Sequence, residues 1–314
     1  MNSKKNKILI IGSANMDLSM NMYKVPDAGQ TLIDDGGVAY VPGGKGANAA
    51  VAFAKLGADV KLCSRLGADV HGQRLYQFYR ECGIDTSYIK ADRDNPTGLA
   101  VVMKESDGAN RIVVYPGANS HLSAENISEA FDCNPDAVYI GFEIPFGVAL
   151  AAAKQAAARG IPVFLDPAPA DKDIPLESLP MIEVFSPNET ETFTYTGITP
   201  MGAESSLRAA LALYKRVKCK YIVIKQGERG AFFYDGRHHN FVPAIRAGKT
   251  VDTTAAGDAF TAAMTLKYLE NCGEIYTAVR FGNAAGALTV TRRGASSAIP
   301  DRAEVEELLV KSTF

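Results

Sequence analysis

A chain of 314 residues with 47% hydrophobic side chains is long enough for one large α/β core or two smaller ones. Its 33 Lys and Arg against 35 Asp and Glu leave a net charge of -2, which gives no electrostatic reason to expect a nucleic acid or an anionic membrane as partner. Five scattered cysteines without a Cys-x-x-Cys pair speak against a disulfide framework or a zinc site, and no run of about 18 apolar residues suggests a membrane span, so a protein of the reducing cytoplasm is expected.

The basic start Lys4-Lys5-Asn6-Lys7 before Ile8-Leu9-Ile10-Ile11 imitates a leader, but the apolar run is too short and stops at Gly12. Residues 7–12 instead read as a central parallel strand whose carboxyl end leads into a site, with Asn15 and Asp17 next in the chain. Gly12-Ser13-Ala14-Asn15-Met16-Asp17 lacks the second and third glycines of a dinucleotide fingerprint, which removes the main support for a dehydrogenase. Residues 18–41 show no helical period and carry Pro26-Asp27 and Gly36-Gly37 turns, so strands leaving the main sheet are expected there.

Pro42-Gly43-Gly44-Lys45-Gly46-Ala47-Asn48 opens an amphipathic helix to about residue 56. Its glycines let backbone crowd a ligand, and Lys45 and Asn48 are donors facing the same space; alone, such a loop is as easily a plain helix cap. A phosphate-binding Walker loop it is not, because Ala39 stands at the first glycine and Gly46 follows the lysine; Pro243 likewise disqualifies Gly248-Lys249-Thr250. A strand at 60–65 and a helix at 71–82 follow, the latter with Leu75, Phe78, Tyr79 and Cys82 on one face. Residues 97–103 and 111–115 read as a hairpin across Asp107-Gly108, forming with the earlier irregular strands a small lid sheet or, failing that, an edge extension of the main sheet.

From residue 137 strands (137–141, 161–166, 182–186, 221–225, 231–234, 239–242) interleave with helices (147–159, 190–196, 203–217). Such alternation predicts a doubly wound, mostly parallel sheet with helices on both faces and ligands at the strands' carboxyl ends. Glu143, Asp166, Asn188, Glu191 and Lys225 recur at that mouth, although each alone is an ordinary cap or loop residue.

Asp252-Thr253-Thr254-Ala255-Ala256-Gly257-Asp258 precedes an Ala-rich helix to about residue 269. A helix start leaves N–H groups free for an anion, Gly257 lets it approach, and Asp258 is an odd neighbour unless it accepts a proton. That pairing suggests phosphoryl transfer to a hydroxyl, with Asp258 ionised at neutral pH and its pKa lowered by the helix start. A small-residue helix at 274–290 contains Asn283, the loop 291–295 follows, and a last helix starts at 301. Without repeat or linker, 1–314 reads as one domain with lid segments at roughly 14–42 and 96–117.

Together, Gly43-Gly44-Lys45-Gly46-Ala47-Asn48 and Asp252-Thr253-Thr254-Ala255-Ala256-Gly257-Asp258 resemble the two motifs of the ribokinase family of sugar kinases, in the same order, and the likeness runs nearly end to end. The resemblance implies an α/β/α core, a β-lid commonly used for homodimerisation, and ATP-dependent phosphorylation of the ribose 5-hydroxyl. Asn15-Met16-Asp17 and the lysine in the glycine motif look like the ribose-specific members. Another furanose or nucleoside (fructose, deoxyribose, a ribonucleoside) is the nearer alternative, and a non-catalytic sugar sensor the more distant one, against which Asp258 speaks.

By resemblance, Asp258 is the base and the N–H groups of Ala255, Ala256 and Gly257 the anion hole. Asn15, Asp17, Gly43, Gly44, Lys45, Asn48 and Glu143 match sugar positions. Asn188 and Glu191 match the motif that supports Mg²⁺ through waters. Lys225, Gly227, Gly230 and Asn283, with Asn188 and Gly257, match nucleotide positions. Asp252, Thr254, Thr289, Arg292, Gly294 and Ala298 match a monovalent-cation loop for K⁺, mostly through carbonyls. The chain departs from the pattern at Lys225, where Thr is frequent, and at Ala298, where a Ser hydroxyl often helps hold potassium, which leaves Ser296, Ser297 or a water to supply that oxygen.

Overall fold

The computed structural model describes residues 5–106 and 110–312; Lys4 and the Asp107-Gly108 turn lie outside the described residues. Among the described residues nine strands form one sheet. From one edge they are β5 (Ile89–Asp92), β4 (Asp59–Gly67), β1 (Lys7–Ile11), β8 (Ala137–Gly141), β9 (Val163–Asp166), β10 (Ile182–Phe185), β11 (Cys219–Lys225), β12 (Gly230–Tyr234) and β13 (His239–Pro243), numbered in chain order with the strands of a second sheet. Every pairing from β5 to β11 is parallel, and β12 and β13 are appended antiparallel.

Helices cover both faces, as the alternation requires. Strand periodicity sends Ile8 and Ile10 to one face and Leu9 and Ile11 to the other. The first face packs under α1 (Lys45–Lys55), α7 (Ala256–Glu270), α8 (Ile275–Thr289), α9 (Arg302–Lys311) and part of α2 (Val70–Glu81). The second packs under α3 (Ala124–Ala130), α4 (Phe146–Ala158), α6 (Ala203–Arg216) and Tyr195 of α5 (Glu189–Thr196). Among the described residues no helix is long and apolar enough to cross a membrane.

The second sheet has the order β3 (Val38–Gly43), β2 (Asn15–Met22), β6 (Gly98–Glu105), β7 (Asn110–Tyr115). The expected hairpin is present as antiparallel β6 and β7, in a sheet of its own rather than as an edge extension of the main one. β2 begins at Asn15, earlier than its composition suggested, and residues 23–37 carry turns and no strand. Its parallel pairing to β6 holds the sheet together.

Candidate active site

Along the main sheet the chain steps from β1 to β4 on one side and returns to β8 on the other, so the strand order reverses at β1 and a crevice opens at the carboxyl ends of β1 and β8. Asn15 and Asp17 follow one of those ends and Glu143 the other. α1 starts directly over this crevice because both backbones there are bare: a Cβ on Gly46 would fall 2.6 Å from the Gly12 Cα. Glu143 Oε2 accepts from the Lys45 N–H at 3.0 Å and from the Ser13 hydroxyl, which fixes its carboxylate at the helix start. Asn15 Oδ1 accepts from Asn119 Nδ2 at 2.8 Å, and Asn119 Oδ1 in turn accepts from Ala14 N at 2.9 Å. Neither Ser13 nor Asn119 was singled out in the sequence, since nothing local marks a residue that acts by holding another.

The second sheet roofs a cleft of about 790 Å³, to which it contributes Ala100, Val102, Ile112 and Val114. Gly43 passes so close to Asp17 that a Cβ would meet its carboxylate at 2.2 Å. Asp17 Oδ1 and Asn48 Oδ1 are buried in this cleft without a hydrogen-bond partner. Buried polar atoms are almost always satisfied, so two orphan acceptors lining one cleft mark where a ligand's donors belong. Burial, reinforced by Glu143 and then Asp258, pushes the Asp17 carboxyl up to about 7. Lys45 lies among the acids: burial lowers its pKa, but Asp258, Asp166, Glu143 and Glu191 together hold it above the usual lysine range.

α7 starts where Ala255 adopts a left-handed conformation, φ 62°, which costs a non-glycine residue roughly 1 kcal/mol. The turn leaves amides exposed. Ala256 N–H reaches Thr253 O at 3.3 Å, so it is not bare as expected; among the described residues the N–H groups of Ala255, Gly257 and Asp258 have no partner. Asp258 sits in the first turn, its Oδ2 accepting from Asn48 Nδ2 at 3.0 Å. The expectation that the helix start would lower its pKa is overturned: burial, with a contribution from Asp166, outweighs Lys45, Asn48 and Lys225 and raises it from 3.8 to about 6. It remains ionised at neutral pH.

A second cleft of about 830 Å³ adjoins the first, and Lys225, Thr253 and Gly257 line both. Lys225 Nζ is paired with Asp166 Oδ2 at 2.6 Å, and the Thr261 hydroxyl donates to the same oxygen at 3.1 Å. Gly227, Gly230 and Asn283 line this second cleft. Gly230 is also demanded by the turn, because at φ 119° a Cβ would fall 2.2 Å from Val242 O. The Asn283 amide donates to Val242 O at 3.0 Å and Pro243 O at 3.1 Å, anchoring β13 to α8.

Asn188 caps α5 at the edge of the first cleft, in a reciprocal capping box with Glu191. Burial raises Glu191 above the usual carboxylate range. Asn188 Nδ2 and N donate to Glu191 Oε1 and Oε2 at 2.8 Å and 2.7 Å, so both carboxylate oxygens already have a donor. Among the described residues no group of three or more His, Cys, Asp or Glu could hold a metal. The Glu191 carboxylate is thus held by its own helix cap.

The expected potassium loop assembles behind α7. Val251 N and Asp252 N donate to Val290 O at 2.7 Å and 3.2 Å, and Gly294 N lies 3.4 Å from Asp252 Oδ2. Its one carboxylate already carries a cation, the Lys104 ammonium at 2.7 Å. The Thr289 hydroxyl bonds Ala285 O at 2.8 Å, and Arg292 faces Glu304. The Asp252 carboxylate, the charged side chain this loop would offer an alkali ion, is thus already paired with an ammonium.

As an acceptor of a proton, Asp258, and as an acceptor of a ligand's hydroxyl hydrogens, Asp17, each act in the ionised form, which fixes the sign of the expected pH dependence. With Asp258 at about 6, kcat should fall as pH drops through about 6; with Asp17 at about 7, kcat/KM for the acceptor should begin to fall higher, near 7. Profiles flat down to about pH 5 would remove both groups from the reaction.

The model of the pfkB family of carbohydrate kinases matches residues 5–302. The chain is 35% identical over 308 residues to a ribokinase of Arabidopsis thaliana, covering 96% of this chain and 80% of that one. It is 33% identical over 305 residues to a ribokinase of Staphylococcus aureus, covering 96% and 99%. The solved structure of Arabidopsis thaliana ribokinase complexed with ribose and ATP superposes with a TM-score of 0.87 at 33% identity, covering 98% of this chain and 99% of that one.

Proposed function

The chain belongs to the pfkB family of carbohydrate kinases, and from that premise we propose that it transfers the γ-phosphoryl group of ATP to the 5-hydroxyl of ribose. One observation carries the reading: the unpartnered buried oxygens of Asp17 and Asn48 open into the same cleft as Asp258 and the bare amides of α7. Paired hydroxyls of a small polyol supply the donors those oxygens lack, and the roofing sheet excludes water that would compete as acceptor. The acceptor hydroxyl gives its proton to Asp258 as its oxygen bonds phosphorus and the bond to the leaving ADP oxygen breaks. Charge on the phosphoryl oxygens is met by the N–H groups at the start of α7 and by Lys45. Mg²⁺, carried by the nucleotide, would be supported through water by Asn188 and Glu191 and would neutralise phosphate charge. Activity that persists in excess chelator removes the metal from this account.

Turnover on a panel of ribose, deoxyribose, fructose and ribonucleosides, followed by ADP release, tests the acceptor. Ribose with the highest kcat/KM is the expected result, a different sugar in that place replaces it, and no turnover on any of them favours a sugar sensor. We further propose one catalytic domain with the second sheet as its lid, and a homodimer through that sheet, whose Val38, Val113 and Tyr115 are 63%, 61% and 58% exposed. A monomer in sedimentation would reject the dimer, and two independent thermal transitions would reject the single domain. Cytoplasmic residence is proposed as well; recovery with the membrane fraction would contradict it.

A further inference from the structure

Ala100, Val102 and Lys104 occupy alternate positions on β6 and so share one face, the first two lining the roof of the cleft. The third reaches past the cleft to the loop that opens α7. There its Nζ stands 2.7 Å from Asp252 Oδ2, with side-chain exposures of 31% and 11%. Asp252 Oδ1 accepts from Thr254 N at 3.0 Å and from the Thr254 hydroxyl at 2.6 Å. Both oxygens of the carboxylate are therefore engaged; Ala298 itself adds no side-chain oxygen, and the Ser297 hydroxyl stands beside Gly294. An alkali ion placed against the same carboxylate would meet the like charge of the ammonium.

We propose that the Lys104 ammonium is the built-in monovalent cation of this loop, so that phosphoryl transfer by this chain needs no alkali ion there. The consequence for chemistry follows from position. Asp252 pins Thr254, the residue before the left-handed Ala255 that turns free amides toward the cleft. Left without a counter-charge, that carboxylate would oppose the anion those amides receive; the ammonium neutralises it and ties the second sheet to the turn. Charge compensation is then delivered by the sheet that covers the acceptor, and Lys104 is a positioning residue rather than a catalytic one.

The proposal rests on the kinase reading, and its test has an arm that does not. Initial rates of the parent, Lys104→Met and Lys104→Arg are compared at equal ionic strength in the chlorides of potassium, sodium and tetramethylammonium. The parent and Lys104→Arg should vary by less than about two-fold, whereas Lys104→Met should lose roughly ten-fold in tetramethylammonium and regain most of it in potassium. Melting temperatures without substrates should show a potassium-specific rise in Lys104→Met and none in the parent. A parent that potassium activates, or a Met variant indifferent to every cation, overturns the proposal. Loss of rate that no cation restores also overturns it, because Lys104 would then act by shape. Failure of ribose as acceptor would show on the sugar panel and leave the melting comparison decisive.

Discussion

Asp258→Asn is expected to lower kcat by roughly 10³-fold while leaving ribose and ATP binding within a few-fold. The amide keeps the acceptor for Asn48 Nδ2, now at 3.0 Å, so the cleft retains its shape and loses only the carboxylate proposed to take the proton. The same substitution should make the protein more stable at neutral pH. Burial raises the Asp258 pKa from 3.8 to about 6, so the group's favourable contribution to folding is complete below 3.8 and is lost as pH rises through 6. Above that, the ionised carboxylate destabilises the fold by roughly 3 kcal/mol, a cost that a neutral amide does not carry. Melting temperatures of the two proteins should differ by several degrees near pH 8 and converge toward pH 4. Near-normal turnover would reject Asp258 as the base; a less stable variant would show that the carboxylate is not under the strain its burial implies.

Much of this was legible in residues, and what was not has identifiable causes. Local periodicity and glycine turns marked β1, the β6 and β7 hairpin and the alternation from β8 onward, because their signals are confined to a few neighbouring positions. β5 was missed: four residues with mixed burial carry no period. α3 was missed although Ser123 and Asn126 form a capping box, since Asn stands where Glu or Gln would have flagged it. Pairing of β2 with β6 joins stretches far apart in the chain, and no local pattern encodes it. The same limit hid Lys104, Asn119 and Ser13, each of which matters only through a distant partner. The direction of the Asp258 shift was misjudged for a related reason: the helix start is visible in sequence, whereas the burial and the second carboxylate that outweigh it are not.

The pair of Lys225 and Asp166 offers the second large effect. With side chains 10% and 4% exposed and 2.6 Å apart, it stands in the wall between the two clefts. Removing one partner's charge strands the other in that wall, so Lys225→Thr and Asp166→Asn should each destabilise the protein by about 3 kcal/mol. Replacing both by neutral groups that can still hydrogen-bond, Lys225→Thr with Asp166→Asn, should recover most of that loss, because a buried ion pair contributes little net stability beyond avoiding an orphan charge. Urea midpoints of the parent, the two single variants and the double variant read the coupling, expected to exceed about 3 kcal/mol, and additive losses would dissolve the pair as an energetic unit. Function should not recover in parallel. Lys225 Nζ lies 3.7 Å from where a Cβ on Gly257 would stand, beside the amides proposed to meet the phosphoryl charge. A stable double variant with low kcat assigns the ammonium to phosphate charge, whereas restored stability and restored kcat together would reduce the pair to a tie between β9 and β11.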